Sequence, residues 1–204
     1  MQLQTLGNDI VDLKAIEPPL HPGYKERVCT RREGVVVGKD PAMLWLHWAA
    51  KEAAYKALKR IDPRVQFIPR DLEFDALLNV VRWRDIEFPC RVERDAECIV
   101  VTCAPFHCHL CSWWQECHPE SEAQASELVR RLLRDKLITL YGIPSAEIEI
   151  ESVAGVPWIR LGRSRSRIPV SFSHHGRFVA CAVLDNLVPP IDIKSLNPAS
   201  CTTP

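Results

Sequence analysis

The sequence predicts an α+β protein built from two related lobes, each with one long helix packed on a mainly antiparallel sheet. Two stretches, residues 41–60 and 121–141, repeat apolar side chains at intervals of three and four, which is typical of an amphipathic helix. β-like stretches follow each helix, so each half of the chain contains one long helix plus strands. We place the two lobes at residues 1–118 and 119–204 of the 204-residue chain.

The first lobe is expected to begin with a strand over residues 2–13, where apolar side chains alternate around Gly7. A helical segment interrupted by Pro18, Pro19 and Pro22 is expected next. The first long helix then begins after Asp40, because Asp40-Pro41 supplies an N-cap and a first-turn proline. The β-like stretches that follow it are residues 71–83, 91–104 and 106–114.

The second lobe is expected to follow a polar linker over residues 115–126. Its long helix, from about Ser121 to Tyr141, ends where Gly142 and Pro144 stop helical structure. Strands are expected over residues 146–153, 156–161 and 169–184, the last of them a hairpin that turns at His175-Gly176.

Charge and composition exclude several classes of protein. The 26 basic and 26 acidic residues balance, which removes the electrostatic case for bulk nucleic-acid binding. No apolar run approaches the roughly 18 residues of a membrane span, and the first residues lack the features of a signal peptide. We therefore expect a soluble, cytoplasmic protein.

The nine cysteines are expected to be free thiols, since their number is odd and no secretion signal accompanies them. The Cys/His-rich stretch 98–118 also suggests a zinc site. However, Cys108 and Cys111 follow a strand-like run, and residues three apart in a strand point to opposite faces. Buried thiols are therefore preferred to zinc.

Three polar groups stand out in this largely apolar chain. Asp9 lies in an apolar strand, where an acid is costly unless it is paired, caps the strand end or binds a metal. Glu52 and Lys56 form an i,i+4 pair, which is commonly a solvated salt bridge, but alanines at positions 49, 50, 53 and 54 indicate close packing there. Ser173-His174 is a polar pair at the end of a strand that is otherwise expected to be buried. Taken alone, it is also compatible with the end of an ordinary hairpin.

Together these groups resemble the motifs of the 4′-phosphopantetheinyl transferase superfamily. The Gly-x-Asp motif is present as Gly7-Asn8-Asp9, and the Ser-His motif as Ser173-His174. The most specific motif, Trp-x-x-Lys-Glu-x-x-x-Lys, is complete as Trp48, Lys51, Glu52 and Lys56. The resemblance implies a phosphopantetheinyl-transferase-like fold with the active site between two pseudo-symmetric lobes.

The resemblance also implies an activity: Mg²⁺-dependent transfer of 4′-phosphopantetheine from coenzyme A to a serine of an apo acyl, peptidyl or polyketide carrier protein, releasing adenosine 3′,5′-bisphosphate. Such phosphoryl transfer needs charge neutralisation and positioning more than covalent chemistry. Asp9 and Glu52 would hold Mg²⁺, and Glu52 or a metal-bound water would take the serine proton. Asp9, Glu52 and Lys56 are thus the expected catalytic residues.

Coenzyme A is expected to contact both lobes. By resemblance, Lys51 and Lys56 would offset charge on its pyrophosphate. Ser173 and His174 would hold the phosphates, and Arg134 would meet the 3′-phosphate of the nucleotide. Arg130 and Arg131 are further candidates on the same helix.

The chain departs from the family pattern at three points. Val11 stands where larger members have a third acid, and Val156 replaces the lysine of Gly-Lys-Pro. His175 replaces a small polar residue, and its contact with ligand is left open. In addition, the Ser-His lobe comes last rather than first, followed by a faint echo of the Gly-x-Asp strand at Asp192. The length favours a pseudo-dimer that works as a monomer over a small trimeric type with an insertion.

Two other functions are compatible with the sequence. One is a non-catalytic relative that binds carrier protein or coenzyme A, which the presence of both acids and Lys56 disfavours. The other is a zinc-dependent regulatory module built on the Cys/His stretch.

Overall fold

Two five-stranded sheets and two long helices make up most of the computed structural model, which describes residues 5–15, 23–105, 108, 110–164 and 166–184. The helices are α1 (Tyr24–Val28), α2 (Arg31–Val37), α3 (Pro41–Leu58) and α4 (Glu122–Tyr141). The strands are β1 (Gly7–Asp12), β2 (Glu73–Asp75), β3 (Val80–Trp83), β4 (Ile86–Arg94), β5 (Cys98–Cys103), β6 (Leu110–Glu116), β7 (Ile148–Val153), β8 (Val156–Leu161), β9 (Ile168–His175) and β10 (Phe178–Leu184). This α+β architecture confirms the predicted fold class.

The two halves of the chain repeat one topology. In the first, β1 is followed by α3 and then by the meander β2 to β5, and the sheet order is β1-β5-β4-β3-β2. In the second, β6 is followed by α4 and the meander β7 to β10, and the order is β6-β10-β9-β8-β7. Every described strand pairing is antiparallel. The lobes are therefore pseudo-symmetric in fold.

The change of sheet falls earlier than the sequence suggested. β6 pairs with β10, from Leu110 opposite Leu184 to Glu116 opposite Phe178, and so belongs to the second sheet. The chain thus changes sheet between β5 and β6, one strand before the predicted boundary at 118/119. Residues 115–126, predicted as a linker, instead include the end of β6 and the first turn of α4.

Strands β5 and β10 are covered on both faces. Val101 and Cys103 of β5 pack under α3, whereas the alternate residues Cys98 and Val100 pack against Phe178 of β10. The other face of β10 packs against α4. Because both faces are covered, β5 and β10 are buried along their whole length, and Thr102 of β5 is the one polar residue in the two strands.

Both long helices begin where the sequence predicts and α4 also ends there, whereas α3 ends at Leu58 rather than at Arg60. The Asp40 carboxylate accepts from the amide of Ala42 at the start of α3. Ser121 accepts from the amide of Gln124 at the start of α4, and Gly142 ends that helix with a φ of 63°, which glycine adopts without strain.

The stretch 71–83 is a hairpin rather than one strand. The side chain of Asp75 accepts from the amides of Leu77 and Leu78, both at 3.1 Å, and this Asx-type turn separates β2 from β3. Leu77 is 94% exposed, so it marks a turn although its residue type suggested a strand.

Of the proline-interrupted segment predicted to be helical, residues 16–22 lie outside the described part of the chain. Described helical structure starts at Tyr24, after the last of the three prolines. Within the described ranges, no helix combines the length and hydrophobicity of a membrane span.

The close packing of β1 on α3 depends on Gly7. A Cβ atom at Gly7 would lie 2.0 Å from the carbonyl oxygen of Ala53 and 2.6 Å from the amide nitrogen of Ala57. Both neighbours are backbone atoms of α3, so they cannot yield as a side chain does. The buried alanines of α3 and Gly7 thus let the strand and helix approach closely.

Replacing Gly7 by alanine is expected to destabilise the protein by about 3 kcal/mol or more, at the upper end of overpacking costs. Denaturant unfolding of Gly7→Ala measures this change. The matched control is Gly34→Ala inside α2, where the nearest atom is the flexible Cε of Lys25 at 3.5 Å. That variant should gain up to about 1 kcal/mol from helix propensity. Equal stability of the two variants would contradict the packing role of Gly7.

Candidate functional site

Asp9, Glu52 and Lys56 form one contact group. The Lys56 ammonium donates to the Asp9 carboxylate at 2.9 Å and lies 3.3 Å from the Glu52 carboxylate. It also donates to the carbonyl oxygen of Asn8 at 3.0 Å, which fixes the end of the side chain against β1. Glu52 and Lys56 are one turn apart on α3, and Asp9 faces them from β1, on the same side as Gly7.

Burial dominates the electrostatics of this group. Asp9 is 5% exposed, and burial raises its pKa to about 7, with Glu52 adding to the rise and Lys56 opposing it. Burial alone would lower the pKa of Lys56, but the two carboxylates raise it above its ordinary value. The group therefore contains one cation, Lys56, and two acids. A further cation could bind there and offset the remaining negative charge.

The donor set suits a hard divalent cation with few protein ligands. Among the described residues no cluster of three or more His, Cys, Asp or Glu side chains is placed to hold a metal ion. The contact group supplies two carboxylates, and Mg²⁺ commonly binds through one or two carboxylates plus waters and phosphate oxygens. Asp9 and Glu52 fit that pattern, whereas a site made wholly of protein ligands would not form here.

Lys51 does not join the group, although it neighbours Glu52 in sequence. Its ammonium is 0% exposed, donates to the Glu33 carboxylate at 2.6 Å and also donates to the carbonyl oxygen of Val28. Glu33 in turn accepts from the amides of Thr30 and Phe74. The geometry thus disagrees with the predicted contact between Lys51 and pyrophosphate, because Lys51 is committed to tying α2 and β2 to α3.

Strand β9 of the second lobe lies against β1. The amide of Asn8 donates to the hydroxyl of Ser171 at 2.8 Å, and its side-chain amide donates to the hydroxyl of Ser173 at 2.9 Å. Both serines are buried. Ser173, predicted to hold phosphate, therefore contacts the residue directly before Asp9 and links the two lobes through Asn8.

The two histidines after Ser173 have different surroundings. His174 is partly exposed, and its Nε2 lies 3.3 Å from the carboxylate of Glu122 at the start of α4. His175 accepts from the amide of Asp12 through Nδ1, and burial lowers its pKa against the opposing charges of Asp12 and Glu52. Its ring also lies near Trp45 of α3. His175 thus packs between the lobes as a neutral side chain.

Sequence reasoning missed a second inter-lobe contact, between Asp12 and Arg177. Arg177 donates to the Asp12 carboxylate from its backbone amide at 2.9 Å and from its guanidinium at 2.8 and 2.9 Å. Although burial alone raises the pKa of Asp12, these hydrogen bonds hold it well below its ordinary value. Arg177 also bonds to Glu97 and Glu116. The one sequence feature that could have indicated this contact is Arg177 itself, a cation directly after the hairpin turn that follows Ser173-His174.

A cationic cleft opens between the lobes beside Lys56. Its walls combine the end of α3 with the β7–β8 turn and β9. The lining residues are Leu6, Lys56, Lys59, Arg60, Gly155, Val156, Pro157, Ser171 and Phe172. Burial lowers the pKa of Arg60 to about 10, and one of its guanidinium nitrogens is buried without a partner among the described residues. Such a cleft favours an anionic ligand.

Arg134 lines neither this cleft nor a second one, formed around His174 and the start of α4. It is half-buried on α4. Arg130, one turn earlier, lies over the ring of Phe172 at 5.5 Å, and Phe172 lines the cationic cleft. The geometry therefore favours Arg130 over Arg134 near the cleft.

Two further expectations extend beyond the described residues. Asp192 lies outside them, as do His107 and His109 of the Cys/His-rich stretch. Burial raises the pKa of the described thiols Cys98, Cys103, Cys108 and Cys117 in that stretch, which keeps them protonated.

The family of the chain follows from comparison with known proteins. A family model described as the 4′-phosphopantetheinyl transferase superfamily matches residues 5–114, which is more than half of the chain and includes Asp9, Glu52 and Lys56. The chain belongs to this superfamily. No curated protein and no solved structure matches it significantly.

The two lysines of α3 are expected to behave differently when replaced. Lys51→Met leaves the Glu33 carboxylate buried without its cation, so a loss of about 3–5 kcal/mol in unfolding free energy is expected. Lys56→Met removes a partly exposed ammonium next to an acid that readily takes up a proton, and the loss should be much smaller. Chemical denaturation measures both. A smaller loss for Lys51→Met than for Lys56→Met would refute this assignment of Lys51.

Proposed function

We propose that the protein transfers 4′-phosphopantetheine from coenzyme A to a serine of an apo carrier protein in a Mg²⁺-dependent reaction. The observation that carries the proposal is the contact group of Asp9, Glu52 and Lys56 inside the region that matches the superfamily. Two acids and one lysine meet there, and the lysine also lines an inter-lobe cleft that contains further positive charge. Membership of the superfamily supports the class of reaction.

The chemistry needs charge neutralisation near the pyrophosphate. When bound between Asp9 and Glu52, Mg²⁺ would supply a positive charge that offsets the charge of the phosphate oxygens. Lys56, held by its bond to the carbonyl oxygen of Asn8, offsets further charge from a fixed position. Because no rearrangement is needed to place it, its contribution is preorganised.

Glu52 is the better candidate for the proton acceptor. It is about one quarter exposed, whereas Asp9 is nearly covered by α3 and β1. An incoming serine hydroxyl can therefore approach Glu52 more readily. As the serine oxygen forms its bond to the β-phosphorus, the bond to the leaving phosphate breaks, and adenosine 3′,5′-bisphosphate departs.

We place the nucleotide end of coenzyme A in the cationic cleft. Lys59 and Arg60 extend the positive charge of Lys56 away from the reacting bond, and the aromatic ring of Phe172 forms part of the opposite wall. These cations offset the absence of the lysine that Val156 replaces. Ser173 and His174 remain candidates for phosphate contacts on the second lobe.

A carrier protein and coenzyme A are accordingly the proposed partners. The proposed setting is the cytoplasm, and the proposed working form is a monomer, because both halves of the site come from one chain. The alternative that the experiment must distinguish from a transferase is a non-catalytic relative that only binds coenzyme A.

The direct test is intact-mass spectrometry of several apo-carrier proteins incubated with coenzyme A and Mg²⁺. We expect one of them to gain a single phosphopantetheine group. Binding of coenzyme A without any mass gain would favour the non-catalytic relative instead.

Asp9→Asn and Glu52→Gln are expected to lower turnover by about 10²-fold or more while the protein stays folded, as loss of a preorganised electrostatic group does. The control is Glu127→Gln, an exposed acid on α4, which should leave turnover unchanged. Addition of Mg²⁺ should also raise the melting temperature of the wild-type protein but not of Asp9→Asn or Glu52→Gln. Near-normal turnover in either site variant would overturn the metal assignment.

The cleft assignment predicts a change in substrate binding. Lys59→Ala should raise the KM for coenzyme A roughly tenfold with little change in kcat, because a contact remote from the reacting bond acts equally in ground and transition states. Arg134→Ala, measured beside it, tests the nucleotide contact predicted from the sequence. A penalty with coenzyme A that disappears with dephospho-coenzyme A identifies a contact to the 3′-phosphate. An unchanged KM in Lys59→Ala would exclude this cleft.

A further inference from the structure

Two thiols face each other in the sheet that contains β1. Cys90 of β4 and Cys103 of β5 are directly opposite in the sheet, and their sulfur atoms are 3.1 Å apart. The amide of Cys90 donates away from Cys103, to the carbonyl oxygen of Asn79 in the turn before β3, and the amide of Ala104 donates to the carbonyl oxygen of Pro89 beside the pair. Cys90 and Cys103 are therefore a non-hydrogen-bonded pair, the type in which opposite side chains lie closest.

We propose that Cys90 and Cys103 are a reversible oxidation site that closes to a disulfide across β4 and β5. Non-hydrogen-bonded pairs have Cα atoms roughly 4.5 Å apart, which lies within the separation that disulfides require. The two sulfurs need to approach by only about 1 Å to reach the bond length of roughly 2.05 Å. Side-chain rotation supplies this change, since the strands are already paired.

The difference in burial between the two thiols sets the order of reaction. Cys90 is half-buried, whereas Cys103 is 0% exposed, packed against the carbonyl oxygen of Ala50. Burial, together with the neighbouring Cys90 and Asp9, raises the pKa of Cys103 well above its ordinary value. Cys90 is thus the thiol that meets an oxidant first, and Cys103 is the resolving thiol.

The oxidant belongs to the class of small disulfides, of which oxidised glutathione is the test case. The Cys90 thiolate attacks one sulfur of the oxidant, the oxidant's S–S bond breaks, and one small thiol leaves. Cys103 then gives up its proton and attacks the Cys90 sulfur, releasing the second small thiol. Two electrons and two protons pass to the oxidant, and the protein gains one disulfide. In a reducing compartment the pair remains a dithiol until oxidant rises.

The bond would secure the support of the candidate site. Cys103 lies opposite Gly7 in the β1–β5 pairing, so it belongs to the strand that pairs with β1 and is covered by α3. A disulfide between β4 and β5 would therefore restrict the motion of the strand that pairs with β1. The proposal stands independently of the transferase activity, because neither thiol is part of the contact group of Asp9, Glu52 and Lys56.

The test compares oxidised and reduced forms of the same protein. The full chain is treated with oxidised glutathione, alkylated, digested and mapped by mass spectrometry, and its melting temperature is measured with and without dithiothreitol. We expect a peptide link between Cys90 and Cys103 and a melting temperature higher by roughly 6–12 °C in the oxidised form.

Two variants make the result specific. Cys90→Ser should show no link and no difference in melting temperature between the two treatments. Cys181→Ala, which removes a buried thiol from β10, should keep the wild-type difference. Full alkylation of both Cys90 and Cys103 after oxidation, a link that involves other cysteines instead, or a stabilisation that persists in Cys90→Ser would each overturn the proposal.

Discussion

The approach of strand β1 to helix α3 is the constraint on which the rest of the site depends. It brings backbone atoms so close that only glycine fits at position 7 and alanines fill the facing side of the helix. At that distance the side chain of Lys56 spans the gap and reaches both the carbonyl oxygen of Asn8 and the carboxylate of Asp9. A wider separation would leave Asp9 buried without its cation.

The second lobe is held to this arrangement by polar contacts along the free edge of β1. Asn8 bonds to two serines of β9, and Asp12 receives hydrogen bonds from Arg177 after the hairpin turn. These partners are more than 160 residues apart in the chain. β1 therefore carries the acid of the proposed metal pair on one face and the inter-lobe contacts on the other face and edge.

The parts that the sequence predicted well are those set by local signals. Asp40-Pro41 and Ser121 define the starts of the long helices, and the spacing of Glu52 and Lys56 places both on one helical face. The parts that were missed depend on long-range pairing. The sequence around Lys51 does not show that its ammonium is buried in an ion pair with Glu33. Likewise, the residues of β6 do not show that this strand pairs with β10 rather than with a strand of the first sheet. The hairpin at Asp75 was missed because exposed leucines in its turn resemble strand residues.

The repeated strand–helix–meander unit has a consequence for how the protein responds to dilution. An interface between two separate chains is lost as concentration falls, since each half must find its partner by diffusion. Here the two halves are consecutive in one chain, joined by the short segment between Cys103 and Leu110. The effective concentration of one half near the other is therefore set by the length of that connection. Assembly of the interface between β1 and β9 is accordingly an intramolecular folding event, independent of how much protein is present.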